Sequence, residues 1–181
     1  GATTCQDCLA GTHLVDDASD KGFHDEESDC VVCVQGKYST TPASFTCVEC
    51  SVGKHLADNG VDLTNHDNEN DCAVCSGGKY VASTGASACL FCGSGKFLSD
   101  AAADATLHDD ESDCQLCAAG RYLIDDGTDS LLHDDAEDCT ICSAGKHSST
   151  GAETCSDCGV GMFLLDDGTN ESAHDNINDC L

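Results

Sequence analysis

The sequence predicts small disulfide-rich repeats: an elongated rod of CxxC-linked loops with short β-hairpins, single helical turns and little regular secondary structure. Three observations support this fold class. The 181 residues include 17 cysteines, one proline and no tryptophan. Most of the cysteines recur as CxxC pairs at regular spacings. The formal net charge is -27, and a chain this acidic with few large apolar residues needs covalent cross-links in order to fold.

The cysteine pairs run along the whole chain and define its repeat. The spacers between successive pairs contain either 21 residues or 12 to 13, in the order long, short, long, short, long, long, short, long. Internal repetition of this kind is typical of arrays of supersecondary units. The pairs are Cys5/Cys8, Cys30/Cys33, Cys47/Cys50, Cys72/Cys75, Cys89/Cys92, Cys114/Cys117, Cys139/Cys142 and Cys155/Cys158, and Cys180 follows alone.

These spacings divide the sequence into predicted modules. A partial repeat covers 1–8, and the final long module is cut at its end, so we expect the sequence to be a window on a longer array. Because each module is closed by its own bridge, neighbours are expected to touch only neighbours. The long modules are 8–30, 50–72, 92–114, 117–139 and 158–181, and the short modules are 33–47, 75–89 and 142–155.

Every spacer opens with the same short motif. Its third residue is glycine, which indicates a turn with positive φ or a close backbone approach. After one residue, basic in six of the eight spacers, comes a ring, and this segment is predicted to be a short strand whose ring covers a disulfide. The glycines are Gly11, Gly36, Gly53, Gly78, Gly95, Gly120, Gly145 and Gly161; the rings are His13, Tyr38, His55, Tyr80, Phe97, Tyr122, His147 and Phe163.

The long spacers carry an additional acidic pattern. An Asp is followed at steps of four residues by Asp or Asn, by a His-Asp pair, and by Asp directly before the next cysteine. The end of this pattern is predicted to form one helical turn with an Asp cap. A structural histidine and no enzymatic activity are predicted, because no Ser or Cys nucleophile recurs beside the His-Asp pairs. The five instances begin at Asp16, Asp58, Asp100, Asp125 and Asp166.

Paired CxxC motifs fit disulfides or zinc ribbons. Seventeen cysteines do not divide into groups of four, and a thioredoxin-like redox site lacks its βαβ context, so extracellular disulfides are favoured. A crossed pattern, Cys5–Cys30 with Cys8–Cys33, is the rival of a sequential ladder. The predicted ladder is Cys8–Cys30, Cys33–Cys47, Cys50–Cys72, Cys75–Cys89, Cys92–Cys114, Cys117–Cys139, Cys142–Cys155 and Cys158–Cys180, with Cys5 pairing outside the chain.

The polar loops supply further candidate sites. Calcium is the one candidate cofactor, at Asp125, Asp126, Asp129 and Asp134, although the EF-hand order of ligands is absent. The sequon at Asn170 predicts an N-linked glycan. The candidate O-linked sites are Ser39, Thr40, Thr41, Ser83, Thr84, Ser148, Ser149 and Thr150.

The repeat resembles known cysteine-rich modules. CxxCxxGKY at 30–38, followed by a polar stretch and another CxxC, resembles ephrin-receptor-like and tumour-necrosis-factor-receptor-like repeats. The longer version, with DDGTD at 125–129 and a following HDxxxDC, is similar to repeats in large secreted or surface proteins of heterokont algae and related protists. The resemblance implies rods, stalks, wall components or filament proteins, without catalytic residues.

Charge and hydropathy narrow the expected function. With 34 acidic and 7 basic residues, the chain has too few positive charges to bind the phosphates of nucleic acid, and no binding to nucleic acid is expected. No apolar run in the sequence is long enough to span a bilayer. We expect a secreted or cell-surface glycoprotein that forms a structural segment of an extracellular filament, wall or surface coat. Its expected partners are copies of itself and glycans. The alternatives are a receptor or adhesin stalk that binds in trans, and a calcium-binding matrix protein.

The recurring basic position suggests a mechanism for lateral assembly. Basic residues on one rod would meet acidic loops on the next, each exposed pair contributing up to about 1 kcal/mol. The alternative is that they pair with acidic residues of their own chain. The six residues are Lys37, Lys54, Lys79, Lys96, Arg121 and Lys146.

Overall fold

The computed structural model describes residues 6–15, 22 and 25–181. They fall into two compact units, the first Gly1–Cys75 with Val81–Cys89 and the second Ser76–Tyr80 with Leu90–Leu181. Each unit consists of small disulfide-linked modules, and no α-helix occurs in the described ranges. Among those residues no helix is long and apolar enough to cross a membrane. The predicted class of disulfide-rich hairpin repeats is confirmed.

The strands are two-residue pairs, and they close seven of the eight modules into hairpins. The segment with the glycine motif pairs with the two residues inside the following CxxC motif, because the loop-closing disulfide holds the two segments side by side. All seven pairings are antiparallel: Thr12–His13 with Val31–Val32, Lys37–Tyr38 with Val48–Glu49, Lys54–His55 with Ala73–Val74, Lys79–Tyr80 with Leu90–Phe91, Lys96–Phe97 with Gln115–Leu116, Arg121–Tyr122 with Thr140–Ile141, and Lys146–His147 with Ser156–Asp157.

The long spacers contain 3₁₀ turns where single helical turns were predicted. In the four long modules from residue 50 onward, one turn ends just before the histidine and a second ends just before the cysteine. Asp or Asn side chains cap these turns at every start except Asn170, which accounts for the regular placement of Asp and Asn. The turns are Glu27–Asp29, Leu63–Asn65, Glu69–Asp71, Ala105–Leu107, Glu111–Asp113, Ser130–Leu132, Ala136–Asp138, Glu171–Ala173 and Ile177–Asp179.

The disulfides join the same pairs as the sequential ladder, and not those of the crossed pattern. Their cysteines are separated by 22 residues in long modules and by 13 or 14 in short ones. They also form most of the core, because few large apolar side chains are buried. The eight bridges are Cys8–Cys30, Cys33–Cys47, Cys50–Cys72, Cys75–Cys89, Cys92–Cys114, Cys117–Cys139, Cys142–Cys155 and Cys158–Cys180.

Several of the rings cover the disulfide of the module that follows their own. Tyr38 packs against Cys50, Leu56 and Cys72 in the first unit, and Tyr80 packs on the equivalent cluster around Cys92 in the second. The predicted ring-on-disulfide contact is therefore present, but it links one module to the next.

The opening glycines meet both conditions that the sequence suggested for them. All eight have positive φ, from 73° at Gly78 to 85° at Gly161. Several also approach a distant backbone, since a Cβ at Gly36 would lie 2.0 Å from the carbonyl oxygen of Gly85, and one at Gly120 would lie 2.2 Å from that of Glu171. A side chain at either position would be excluded by contact as well as by conformation.

These glycine contacts correct the expectation that neighbours touch only neighbours. Gly36 and Gly85 belong to modules 33–47 and 75–89, which are separated by a complete long module. In the second unit, Gly95 of module 92–114 meets Gly151 of module 142–155 in the same way. Each such module therefore contacts the next and also the one after it.

Candidate functional site: the interface between successive modules

The most regular feature of both units is a set of contacts between successive modules. The opening glycine donates its N–H to a carbonyl of the next module, as Gly95 does to Leu123 at 2.9 Å and Gly120 to Ser148 at 3.0 Å. The residue after the ring also donates to the next module, as Leu98 does to His133 at 2.8 Å. Because these bonds use backbone atoms, the interface tolerates variation in the surrounding side chains.

A buried histidine completes this interface in every long module from residue 50 onward. Its Nδ1 lies 2.7 to 2.8 Å from the backbone oxygen of a basic residue in an earlier module, and its Nε2 lies 2.9 Å from an Asp eight residues before it. The rings have 0% relative exposure. We call this arrangement the histidine bridge; its members are His66 with Lys37 and Asp58, His108 with Lys79 and Asp100, His133 with Lys96 and Asp125, and His174 with Lys146 and Asp166.

Both partners of the bridge histidine are hydrogen-bond acceptors. A backbone carbonyl only accepts hydrogen bonds, and an ionised carboxylate also only accepts. At His133 both nitrogens face such atoms, the oxygen of Lys96 and Oδ1 of Asp125. The ring therefore lies between two acceptors, one from an earlier module and one from its own loop.

The carboxylate of the bridge is organised by its own loop. Oδ1 of Asp125 also accepts the backbone N–H groups of Gly127 and Thr128 at 2.9 and 3.1 Å, which forms a tight Asx turn. The hydrogen bond from His133, followed by these backbone bonds, lowers the pKa of Asp125 below its usual value. The pKa values of Asp58, Asp100 and Asp166 are lowered in the same direction, with the bridge histidine as the largest cause.

Most of the other recurring acidic positions are caps. Asp129 accepts the N–H of Leu131 at 3.0 Å at the start of the first 3₁₀ turn. Asp135 and Asp138 form a capping box around the second turn, immediately before Cys139. The acidic pattern of the long spacer therefore encodes one bridge carboxylate and two capped turns.

Acid is expected to destabilise the fold through the bridge carboxylates. The pKa of these carboxyl groups is lowered in the folded state. Their contribution to the free energy of unfolding is therefore fully present above their usual pKa of 3.8, and it is lost as the pH falls through the lower pKa of the folded state. We expect the denaturant midpoint to fall as the pH drops below about 4. High salt serves as a control, since it screens the net charge of the chain. Asp125→Asn should reduce this pH dependence more than Asp126→Asn, and equal effects would contradict the assignment.

The recurring basic residues have partners in their own chain, as the alternative to lateral pairing expects. Five of the six form ion pairs with acidic side chains. The sixth, Lys79, lies over the ring of Phe91, with its Nζ 4.8 Å from the ring centroid. The ion pairs are Lys37 with Glu49 at 3.3 Å, Lys54 with Glu69 at 3.6 Å, Lys96 with Glu111 at 2.6 Å, Lys146 with Asp157 at 2.5 Å, and Arg121 with Glu171.

The candidate calcium ligands are not brought together. Asp125 and Asp129 already accept hydrogen bonds from protein donors. Asp126 is exposed, and Asp134 lies beside Gly77. Among the described residues, groups of three or more metal-ligating side chains occur twice, and neither group contains any of these four carboxylates.

The two groups of metal-ligating side chains are histidine rings packed on disulfides. Nδ1 of His13 lies 3.2 Å from Sγ of Cys47, and Nδ1 of His55 lies 3.2 Å from Sγ of Cys89. Because these cysteines are oxidised, their sulfurs are not thiolate ligands. The two rings occupy the same place as Tyr38 and Tyr80 do in other modules.

The predicted glycan sites divide by burial. Asn170 is exposed in the sequon loop. The structure corrects two of the O-linked predictions: Ser39 has 1% relative exposure and its hydroxyl donates to Ser44, while Ser148 has 3% and donates to the carbonyl of Arg121. Folded modules therefore hide these two hydroxyls. The exposed candidates are Thr40, Thr41, Ser83, Thr84, Ser149 and Thr150.

Some predictions fall outside the described residues. They are the pairing of Cys5 and the first acidic instance, Asp16, Asp20 and His24. In contrast, the sequence alone gave no indication of the contacts between alternate modules, since the spacing of cysteines specifies loops and not their stacking.

No protein-family model matches the chain, and no curated protein sequence matches it significantly.

Proposed function

We propose that the chain is a structural segment of an extracellular filament, wall or surface coat. The observation that supports this most directly is the repetition of one interface, the glycine contacts and the histidine bridge, from module to module. An interface that repeats with the same geometry extends stepwise instead of closing around a single ligand. The proposed role is structural and not enzymatic.

The proposal includes an oxidising compartment and a glycosylated surface. Eight disulfides in a chain of this size are typical of secreted proteins. Asn170 stands exposed, with its side-chain oxygen bonded to Ser172. The resemblance to ephrin-receptor-like and tumour-necrosis-factor-receptor-like repeats, and to surface proteins of heterokont algae and related protists, supports the same class of protein.

Electron microscopy and sedimentation of the native protein at physiological salt test this function. We expect fibres or sheets in the images and a sedimentation coefficient that rises with concentration. A strictly monomeric species, unchanged across concentration and calcium, would contradict the filament and leave the stalk of a surface protein as the better explanation.

A further inference from the structure

Two disulfides of the first unit each lie beside a histidine, which brings three side chains of metal-binding type together. In each group, one ring nitrogen and the two sulfurs of the bridge all lie within 4.8 Å of one another. The same arrangement occurs in two consecutive pairs of long and short modules. The groups are His13 with Cys33 and Cys47, and His55 with Cys75 and Cys89.

The position of these histidines needs a ring but not an imidazole. Tyr38, Tyr80 and Phe97 occupy the same position in other modules and pack on the disulfide that follows. A phenyl or phenol ring is therefore sufficient for packing. The imidazoles of His13 and His55 add a nitrogen that binds metals, and they place it against sulfur.

The bridges beside the two histidines have an accessible sulfur. Cys47 and Cys89 are partly buried, and reduction of a disulfide begins with attack on a sulfur that the reductant can reach. We therefore expect these bridges to open before those of the long modules in which both cysteines are buried. The buried bridges are Cys50–Cys72, Cys92–Cys114 and Cys117–Cys139.

Opening one of these bridges converts the group into a set of metal ligands. A phosphine and one water molecule break the S–S bond, so that phosphorus becomes a phosphine oxide and each sulfur becomes a thiol. A dithiol has the same effect and is itself oxidised to a disulfide. Zinc then displaces the two thiol protons and forms two Zn–S bonds, while a lone pair of the imidazole forms the Zn–N bond.

The positions of the three atoms suit tetrahedral zinc. Bonds of about 2.3 Å to sulfur and about 2.1 Å to nitrogen place those two atoms roughly 3.5 Å apart. Nδ1 of His55 already lies 3.2 Å from Sγ of Cys89. The two sulfurs must separate to roughly 3.8 Å, which rotation of the side chains allows. The Cα atoms of Cys75 and Cys89 are 5.9 Å apart, and water would take the fourth position.

The two groups differ in what the ring nitrogen must give up. Nδ1 of His13 also lies 3.1 Å from the carbonyl oxygen of Val31, and this hydrogen bond is lost when the nitrogen binds a metal. In the part of the chain that the structure describes, Nδ1 of His55 has Sγ of Cys89 as its hydrogen-bond partner and no carbonyl. The group at His55 is therefore expected to bind zinc more tightly than the group at His13.

We propose that reduction of Cys33–Cys47 and Cys75–Cys89 converts each bridge and its histidine into a zinc site with two thiolates and one imidazole. While the bridges are closed the sulfurs are not thiolates, so zinc binding requires the reductant. The metal would then close the loop that the covalent bond had closed. This inference goes beyond the proposed structural role and does not depend on assembly of the chain.

Limited reduction with a phosphine over a range of free Zn²⁺ concentrations tests the proposal. Protection of each thiol from alkylation, read by peptide mapping, gives the zinc affinity at each opened bridge. Cys142–Cys155 is an internal control, because Cys155 is also partly buried and the ring at the equivalent position is Tyr122. That bridge should open as well, but zinc should protect its thiols at least about tenfold more weakly.

His55→Phe is the matched variant, since Phe97 shows that this position accepts a phenylalanine. The variant is expected to keep its fold and to lose zinc protection of Cys75 and Cys89 by at least about tenfold. Protection in the group of His13 should stay unchanged. Native mass spectrometry should count up to two zinc ions in the reduced unmodified chain and one fewer in the variant.

Three results would overturn the zinc sites. They are equal protection in His55→Phe and the unmodified chain, opened bridges whose thiols zinc does not protect, and opening of the buried long-module bridges before Cys75–Cys89. Each of these results would leave the filament proposal standing, because sedimentation of the oxidised chain tests that proposal separately.

Discussion

Reduction of the disulfides is expected to unfold the chain completely. Each bridge closes a loop of 13 to 22 residues and contributes about 3 kcal/mol in the chain-entropy model. Together the bridges exceed the roughly 5–15 kcal/mol of net stability typical of a folded domain. A phosphine reductant should therefore abolish protection of backbone amides from hydrogen exchange, and dialysis into chelator without reductant should leave it intact.

Two outcomes would contradict this prediction. Free thiols with stoichiometric zinc would show that the paired cysteines bind metal instead of forming bridges. Loss of the folded signal in chelator alone would show that the acidic loops hold structural calcium. Non-reducing peptide mapping supplies an independent readout, with Cys50–Cys72 and Cys75–Cys89 as the expected fragments.

Loss of one histidine bridge is expected to destabilise the second unit severely. His133→Ala would remove the ring's hydrogen bonds to the oxygen of Lys96 and to the carboxylate of Asp125, and it would open a cavity at a fully buried site. We expect a loss of about 3 kcal/mol in the free energy of unfolding. Chemical denaturation measures the total effect. Hydrogen exchange at Leu98, whose N–H bonds to the carbonyl of His133, reports it locally.

His147→Ala is the matched control for this variant. His147 is a partly buried ring in a strand and belongs to no histidine bridge. The His147→Ala variant should lose much less stability than His133→Ala. In the His133→Ala variant, the amide of Ser148, which donates to the carbonyl of His174, should stay protected from exchange. Equal losses in both variants would mean that burial of a ring, and not the bridge, accounts for the stability.

Local features of this fold could be read from the sequence because they depend on few residues. A glycine three residues after a cysteine fixes a turn with positive φ, and Gly95 and Gly120 both have one. Disulfides between adjacent pairs were the simplest arrangement that the spacing offered, although the spacing alone left the crossed pattern open. Likewise, the Asp and Asn caps follow from their position before a 3₁₀ turn.

Features that join modules could not be read in the same way. The sequence showed that a ring covers a disulfide, but not that Tyr38 covers the bridge of the following module. The sequence placed His133 and Asp125 in one loop. The third member of that histidine bridge, the carbonyl of Lys96, comes from a module upstream. The hydroxyl of Ser148 becomes buried through the same stacking, which the composition of its loop does not reveal.

The ladder of disulfides also determines how the chain would respond to tension. A pulling force on the backbone crosses each module through its Cys–Cys bridge, so the loop inside the bridge bears no load. A long loop, with its cysteines 22 residues apart, would otherwise extend by about 75 Å when stretched. That contour length is removed from the load path in every module while the bridge is intact. Under load the chain would therefore be nearly inextensible, and a reductant would convert it into a compliant one.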